Sequence, residues 1–226
     1  MQNQKCFLLS YIKYGDYDAF LHCFSAETGY QSFFVKGIYA AKNKKKPYLF
    51  PLNLLNISLR KTGKTSTVSK LELAVDSPEF TEVKINSILF FVADFLQQIL
   101  REEGQNSAAF REISRFQEEI KKNNLDAYIA LIFNFLTITG VAPLFSEEKF
   151  LDPESGTFSN KIAHPLFTKD ISLLWTTYLT VDNPYSIRLK RTERNEFLDS
   201  IMVYYHVHFS GFYTPNSLDV LRQIFE

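Results

Sequence analysis

A chain of 226 residues, 46% hydrophobic and 15% aromatic, has the balance of an ordinary folded protein with a sizeable packed core. No run approaches the roughly 20 apolar residues that span a bilayer; residues 88–95 form the longest candidate, which is short and holds Asp94. The 25 basic and 25 acidic residues cancel, but unevenly: residues 1–80 carry 11 Lys and Arg against 6 Asp and Glu, and residues 81–226 carry 14 against 19. A basic first third beside an acidic remainder suggests two tasks on two domains, with the basic part facing a polyanion.

The first 75 residues read as strands. Lys5 to Lys13 is apolar and aromatic and stops at the turn Tyr14-Gly15-Asp16. Asp18 to Ser25 follows, then the hairpin signal Glu27-Thr28-Gly29, then Gln31 to Lys36 ending at Gly37. Residues 52–59 alternate through Leu55, Ile57 and Leu59, and the pattern resumes at Leu71, Leu73 and Val75 after a turn at 61–64. Five short strands with turn signals about every ten residues predict a small barrel. Between strands three and four lies the most basic stretch, 37–47, holding Lys42, Lys44, Lys45 and Lys46.

Asp76-Ser77-Pro78 reads as the boundary, giving domains 1–78 and 79–226. Beyond it the apolar period becomes helical: positions 85, 88, 89, 92, 95, 96, 99 and 100 predict a helix over 83–103 ended by Gly104. Asn106 or Ser107 caps the next, which runs through Phe110, Ile113, Phe116 and Ile120. A nearly all-apolar helix starts at Asp126 and ends at Gly140, with Pro143 beyond; its apolar circumference predicts a central place. Residues 152–160 read as a turn or hairpin, and Thr168, Thr192 and Ser217 are each placed to cap a later helix. The fold class is therefore α+β and multidomain, a five-stranded β-barrel followed by a mostly α-helical domain.

Catalytic constellations are missing. Lys61-Thr62-Gly63-Lys64-Thr65 ends like a phosphate-binding loop, but Ser58 stands where the first Gly belongs and the following residues alternate like a strand. Cys6 and Cys23 sit in apolar strands and read as reduced, buried thiols. His206 and His208 are two apart and diverge on a helix, so no metal site of familiar spacing can be written. Neither an enzyme nor a cofactor is expected. Met1 to Lys5 is polar and the next segment lacks a small-residue cleavage site, so a cytoplasmic protein is expected. The lysine loop, flanked by Tyr39 and Tyr48, has the ingredients of single-strand binding: cations for phosphates and rings for bases. The rival reading is a protein-interaction module whose lysines only solvate it.

Several segments, in order, resemble the RecO family of bacterial recombination mediators. They are Tyr14-Gly15-Asp16, Ala26-Glu27-Thr28-Gly29, Val35-Lys36-Gly37 and the basic loop leading to Phe50-Pro51-Leu52-Asn53-Leu54-Leu55. Phe135 to Pro143, Thr192 to Asn195, Tyr204 to His208 and Gly211 through Leu221 continue the resemblance. It implies an oligonucleotide-binding (OB) barrel and a helical domain that anneal complementary strands. It also implies partners: single-stranded DNA, with duplex besides, the tail of single-stranded DNA-binding protein, RecR and, indirectly, RecA. The protein would be nucleoid-associated when on DNA. Positions matching the family's DNA-binding loop are Lys36, Lys42, Lys44, Lys45 and Lys46; Arg60, Lys61 and Lys64 are added from local charge. The family's acidic tail ligand needs guanidinium groups beside an apolar pocket. Arg101, Arg111 and Arg115 are the expected group, with Arg188, Lys190, Arg191 and Arg194 as the other. Many members hold zinc on four cysteines, whereas residues 81–226 contain no Cys, so the stretch near 150–164 is expected to be held by packing.

Overall fold

The computed structural model describes residues 2–62, 65–74 and 82–225, without the side chains of Gln2, Lys61, Thr62 and Thr65. The expected boundary at 76–78 and the candidate residue Lys64 lie outside the described residues.

Five strands close a barrel in the order β1-β2-β3-β5-β4. They are β1 (Gln2–Tyr14), β2 (Asp18–Ser25), β3 (Gly29–Val35), β4 (Leu54–Thr62) and β5 (Thr65–Leu73). Every seam is antiparallel except β3–β5, which is parallel and carries only the pairs Phe34↔Thr67 and Val35↔Val68. The alternation read from the sequence is the alternation of the barrel wall: Cys6, Leu8, Leu21, Phe33, Leu55, Ile57 and Leu71 point inward and are buried. Both cysteines are free buried thiols, and burial pushes that of Cys23 well up. A register shift between Leu8 and Ser10 adds one residue to β1, a bulge that bends the strand locally.

Strand four begins later than its apolar pattern suggests. Leu52 is buried at φ 62 outside the strand, and its N–H donates to the Leu8 carbonyl at 2.7 Å. The Leu8 N–H in turn donates to Asn53 at 3.0 Å, so these two residues close the β1 edge before β4 starts. The phosphate-loop fragment is a strand connection: Thr62 pairs with Thr65, and β5 follows directly.

Six helices follow among the described residues: α1 (Val83–Ile99), α2 (Ser107–Lys121), α3 (Ala127–Ile138), α4 (Lys169–Thr180), α5 (Arg191–His208) and α6 (Ser217–Ile224). A short hairpin, β6 (Phe150–Asp152) and β7 (Thr157–Ser159), precedes α4. Asn106 caps α2, its Oδ1 accepting from the Ala109 N–H at 2.9 Å, and Thr168 caps α4 through Ile171. Two caps fall earlier than expected. The cap of α5 is Lys190, whose backbone N–H donates to Glu193 at 2.9 Å, so Thr192 is already inside the helix. Asn216, not Ser217, precedes α6.

The chain forms two compact units: residues 1–111 with 215–226, and residues 112–214. In the first, α6 packs on α1, and Phe7, on the outward phase of β1, packs against Phe110 with ring centres 4.8 Å apart. The core of the second is aromatic. Trp175 is fully buried among Phe133, Phe167, Phe197 and Tyr204, and its indole N–H donates to Ser200 Oγ at 2.9 Å.

The β6–β7 hairpin occupies the stretch near 150–164, which is expected to be held by packing. Leu151 N–H donates to the buried Ser172 Oγ at 3.0 Å, Tyr204 Oη donates to the Val141 carbonyl at 2.9 Å, and His208 Nε2 lies 2.9 Å from the Pro153 carbonyl. Leu151 and Phe158 are buried beneath it. Among the described residues no group of three or more His, Cys, Asp or Glu is placed to hold a metal. Elemental analysis of the purified protein is expected to find far less than one zinc per chain; a value near one would mean that ligands come from elsewhere.

Candidate nucleic-acid interface

The basic loop between β3 and β4 is built, not slack. Gly37, at φ 68, turns the chain as its N–H donates to Asp18 Oδ1 at 2.7 Å, and Tyr39 N–H donates to the Tyr17 carbonyl at 2.8 Å. Asn43 ties the loop to itself: its side-chain amide donates to the Gly37 carbonyl at 2.9 Å, and its Oδ1 accepts from the Lys45 N–H at 2.9 Å. Pro47 then opens a short 3₁₀ turn over residues 46–48. Ile38 and Leu49, on either side, are buried in the barrel core. Between these anchors the lysines project outward.

A groove of ≈600 Å³ runs between this loop and β5. Lys36, Lys42, Lys44 and Lys45 line it, with Tyr48 and Val68 below them. Lys70 joins them from β5, where it pairs with Glu72 at 3.0 Å in the open. Among the described residues that line the groove none is acidic; the Glu72 carboxylate stands beside it, on Lys70. Several like charges around one concavity raise the local positive potential, and a polyanion relieves their mutual repulsion. The remaining expected cations are placed differently. Lys46 lies over the Tyr39 ring at 5.9 Å, with Lys13 5.7 Å from the same ring. Arg60 is exposed on the outer wall of β4, opposite Thr67. The Lys61 side chain and the whole of Lys64 lie outside the described residues.

Lys13 and Lys70 were not foreseen. Lys70 is remote in sequence from the loop and reaches it only through the parallel β3–β5 seam, which strand periodicity does not reveal. A lysine on the outward phase of a strand beside a basic loop was the available signal.

The three arginines expected to share a peptide pocket have separate surroundings. Arg101 is exposed after α1, and its charge acts on His22 and Tyr30 of the barrel. Burial first, then that guanidinium, holds the His22 imidazole below its usual range. Arg111 donates to Ser107 Oγ of its own helix at 3.3 Å. Arg115 donates to Asn183 Oδ1 at 2.7 Å and lies 4.8 Å over the Tyr185 ring. The face shared by residues four apart is legible in a sequence, but the 183–185 turn that engages Arg115 is not. In the alternative group, Arg194 pairs with Asp126 at 3.4 Å and both are largely buried, whereas Arg188 donates to the Tyr185 carbonyl at 2.9 Å.

A closed five-stranded barrel with a cationic groove on its wall, followed by helices, is an OB-type barrel joined to a helical region. Residues 1–75 match the family model described as Recombination protein O N terminal. The chain is 27% identical to the DNA repair protein RecO of Flavobacterium psychrophilum and 26% to that of Christiangramia forsetii, across 98% of each pair of chains. It is 28% identical to the DNA repair protein RecO of Porphyromonas gingivalis across 94% of both. The likeness to these RecO proteins runs along nearly the whole chain, and the family model matches its first third.

Proposed function

We propose that this protein is a non-enzymatic recombination mediator whose barrel holds single-stranded DNA, and duplex also, through the lysine groove. The observation that carries the reading is the convergence of Lys36, Lys42, Lys44, Lys45 and Lys70 on one groove. Phosphate contacts of this kind give affinity without sequence choice. Annealing then needs no catalytic group, because neutralising two strands lowers the electrostatic barrier to their pairing. Its relatives' name places the chain in DNA repair. Within that role we assign it the partners of the resemblance: RecR, the tail of single-stranded DNA-binding protein and, indirectly, RecA. The barrel, 1–78, is the DNA-binding domain and 79–226 the partner-binding one. A cytoplasmic protein that joins the nucleoid on DNA fits this role, and no helix among the described residues is long and apolar enough to cross a membrane.

The test is titration of a labelled oligo-dT at several salt concentrations. Four phosphate contacts give a slope of log affinity on log salt of about −3, from roughly −0.7 per contact on single strands. Absence of binding even at low salt would return the barrel to a protein-interaction role.

For the tail, the expected ligands remain Arg101, Arg111 and Arg115; Arg111 bonds a serine of its own helix, whereas Arg115 holds the 183–185 turn. Arg111→Ala is expected to weaken an acidic tail peptide about tenfold, ~1.4 kcal/mol, without changing the melting temperature. Unchanged affinity would move the site off this helix. Arg115→Ala would also disturb the 183–185 turn, so it serves less well alone.

A further inference from the structure

The barrel wall opens where its parallel seam stops. Strand β3 meets β5 only at Phe34↔Thr67 and Val35↔Val68. Beyond Val35 the chain turns away at Gly37, whereas β5 runs on to Leu73. Residues 69–73 therefore have β4 on one side and, among the described residues, no strand on the other. Nor does a backbone hydrogen bond reach them there from any described loop residue. An open edge of this kind presents N–H and C=O groups that can pair with another extended chain.

This edge lies in the lysine groove, which Ser69, Lys70 and Leu71 line. Val35, Ile38, Val68 and Leu71 line it too, and all four belong to the barrel core or pack against it. One groove thus combines an unpaired strand edge, an apolar floor and a cationic rim. Phosphates account for the rim alone. An extended peptide accounts for all three: its main chain pairs with the edge, and its side chains point alternately to the floor and to the rim. Charge decides which peptide fits. The nearby carboxylates are already engaged, Glu72 by Lys70 at 3.0 Å and Asp18 by the Gly37 N–H at 2.7 Å. The rim formed by Lys36, Lys42, Lys44 and Lys45 is complementary to Asp and Glu. Lysines beside a free edge also discourage pairing with uncharged strands, so they select as well as attract.

We infer that the open edge of β5 takes an acidic, extended segment of a partner polypeptide by strand addition. The pairing does not depend on nucleic acid. Its consequence rests on the DNA-binding reading above: peptide and DNA exclude one another from the groove, so an acidic partner releases DNA from the barrel.

The test titrates the full chain with a fluorescent peptide alternating Glu and Val. Both peptide ends are capped, so no terminal carboxylate is offered to arginines elsewhere. Two further peptides carry N-methyl groups, one on every Glu nitrogen and the other on every Val nitrogen. Alternate N–H groups of a strand point to opposite sides, so one methylated form should bind at least tenfold more weakly and the other like the parent. Equal affinity of the two methylated forms, whether kept or lost, overturns strand addition. Lys42→Gln with Lys44→Gln, both at exposed positions, should weaken the parent peptide at least tenfold at an unchanged melting temperature. A peptide held equally by this variant and by wild type lies elsewhere and overturns the inference, as does one lost with Arg111→Ala instead. Bound oligo-dT should leave in proportion as the peptide binds, and simultaneous binding of both overturns the shared groove. If the peptide pairs but oligo-dT does not bind at low salt, the DNA-binding reading falls and the strand addition stands.

Discussion

Lys36, Lys42, Lys44 and Lys45 changed together to Glu should lower the affinity for oligo-dT at least a hundredfold at low salt and abolish most of its salt dependence. All four line one groove, so the change replaces a field that attracts phosphate by one that repels it. None is a core residue, and the loop that bears them is anchored by Ile38, Leu49, Gly37 and Asn43, which stay. Surface changes of this type usually shift stability within about 0.5 kcal/mol each, so the melting transition should survive. Lys46→Glu is the control within the same loop. Because that lysine lies over Tyr39 outside the groove lining, it should cost less than about tenfold. An unchanged slope in the fourfold variant would make the loop bystander surface.

Gly29→Ala should be among the most destabilising single changes available in the first unit. Gly29 has φ 71, and a Cβ there would overlap the backbone carbonyl oxygens of Glu103 and Gly104. The overlap cannot be relieved by rotating a side chain. Moving that carbonyl would also break the bond it accepts from the Tyr30 N–H at 3.0 Å. Left-handed strain costs about 1–3 kcal/mol for an ordinary residue, and the lost space and hydrogen bond add to it. We expect about 3 kcal/mol or more in denaturant unfolding, against about 1 kcal/mol for Gly15→Ala. Gly15 has a similar φ of 59, but nothing lies within 4 Å of its would-be Cβ. Equal costs at the two sites would show that conformation alone, and not the close approach, makes Gly29 necessary.

The Gly29 approach illustrates where reading a sequence stops. Glu27-Thr28-Gly29 announces a turn because turn chemistry is local, and the strand phases of 18–25 and 31–36 follow from an alternation that one wall imposes on its own residues. The capping of α2 by Asn106 and of α4 by Thr168 is legible for the same reason. What stays hidden is anything settled between distant segments. Gly29 touches 103–104, Lys70 reaches the groove through a parallel seam, and Arg115 answers to a turn nearly 70 residues on. Leu52 looks like the first residue of a strand by its apolarity, yet the closure of the β1 edge holds it in a left-handed conformation. The lysine loop was visible as charge, but not the division of its lysines between a groove and a ring.

The return of α6 to α1 has a bearing on how the molecule is made. Residues 112–214 form an uninterrupted unit, whereas the first unit is completed by residues 215–226. A ribosome therefore delivers every residue of the later unit before it delivers the helix that finishes the earlier one. Until Leu218 and Leu221 arrive to be buried, the part of α1 that α6 covers stays uncovered on the nascent chain. The barrel's own strands are released first, but the unit that contains them is the last to close.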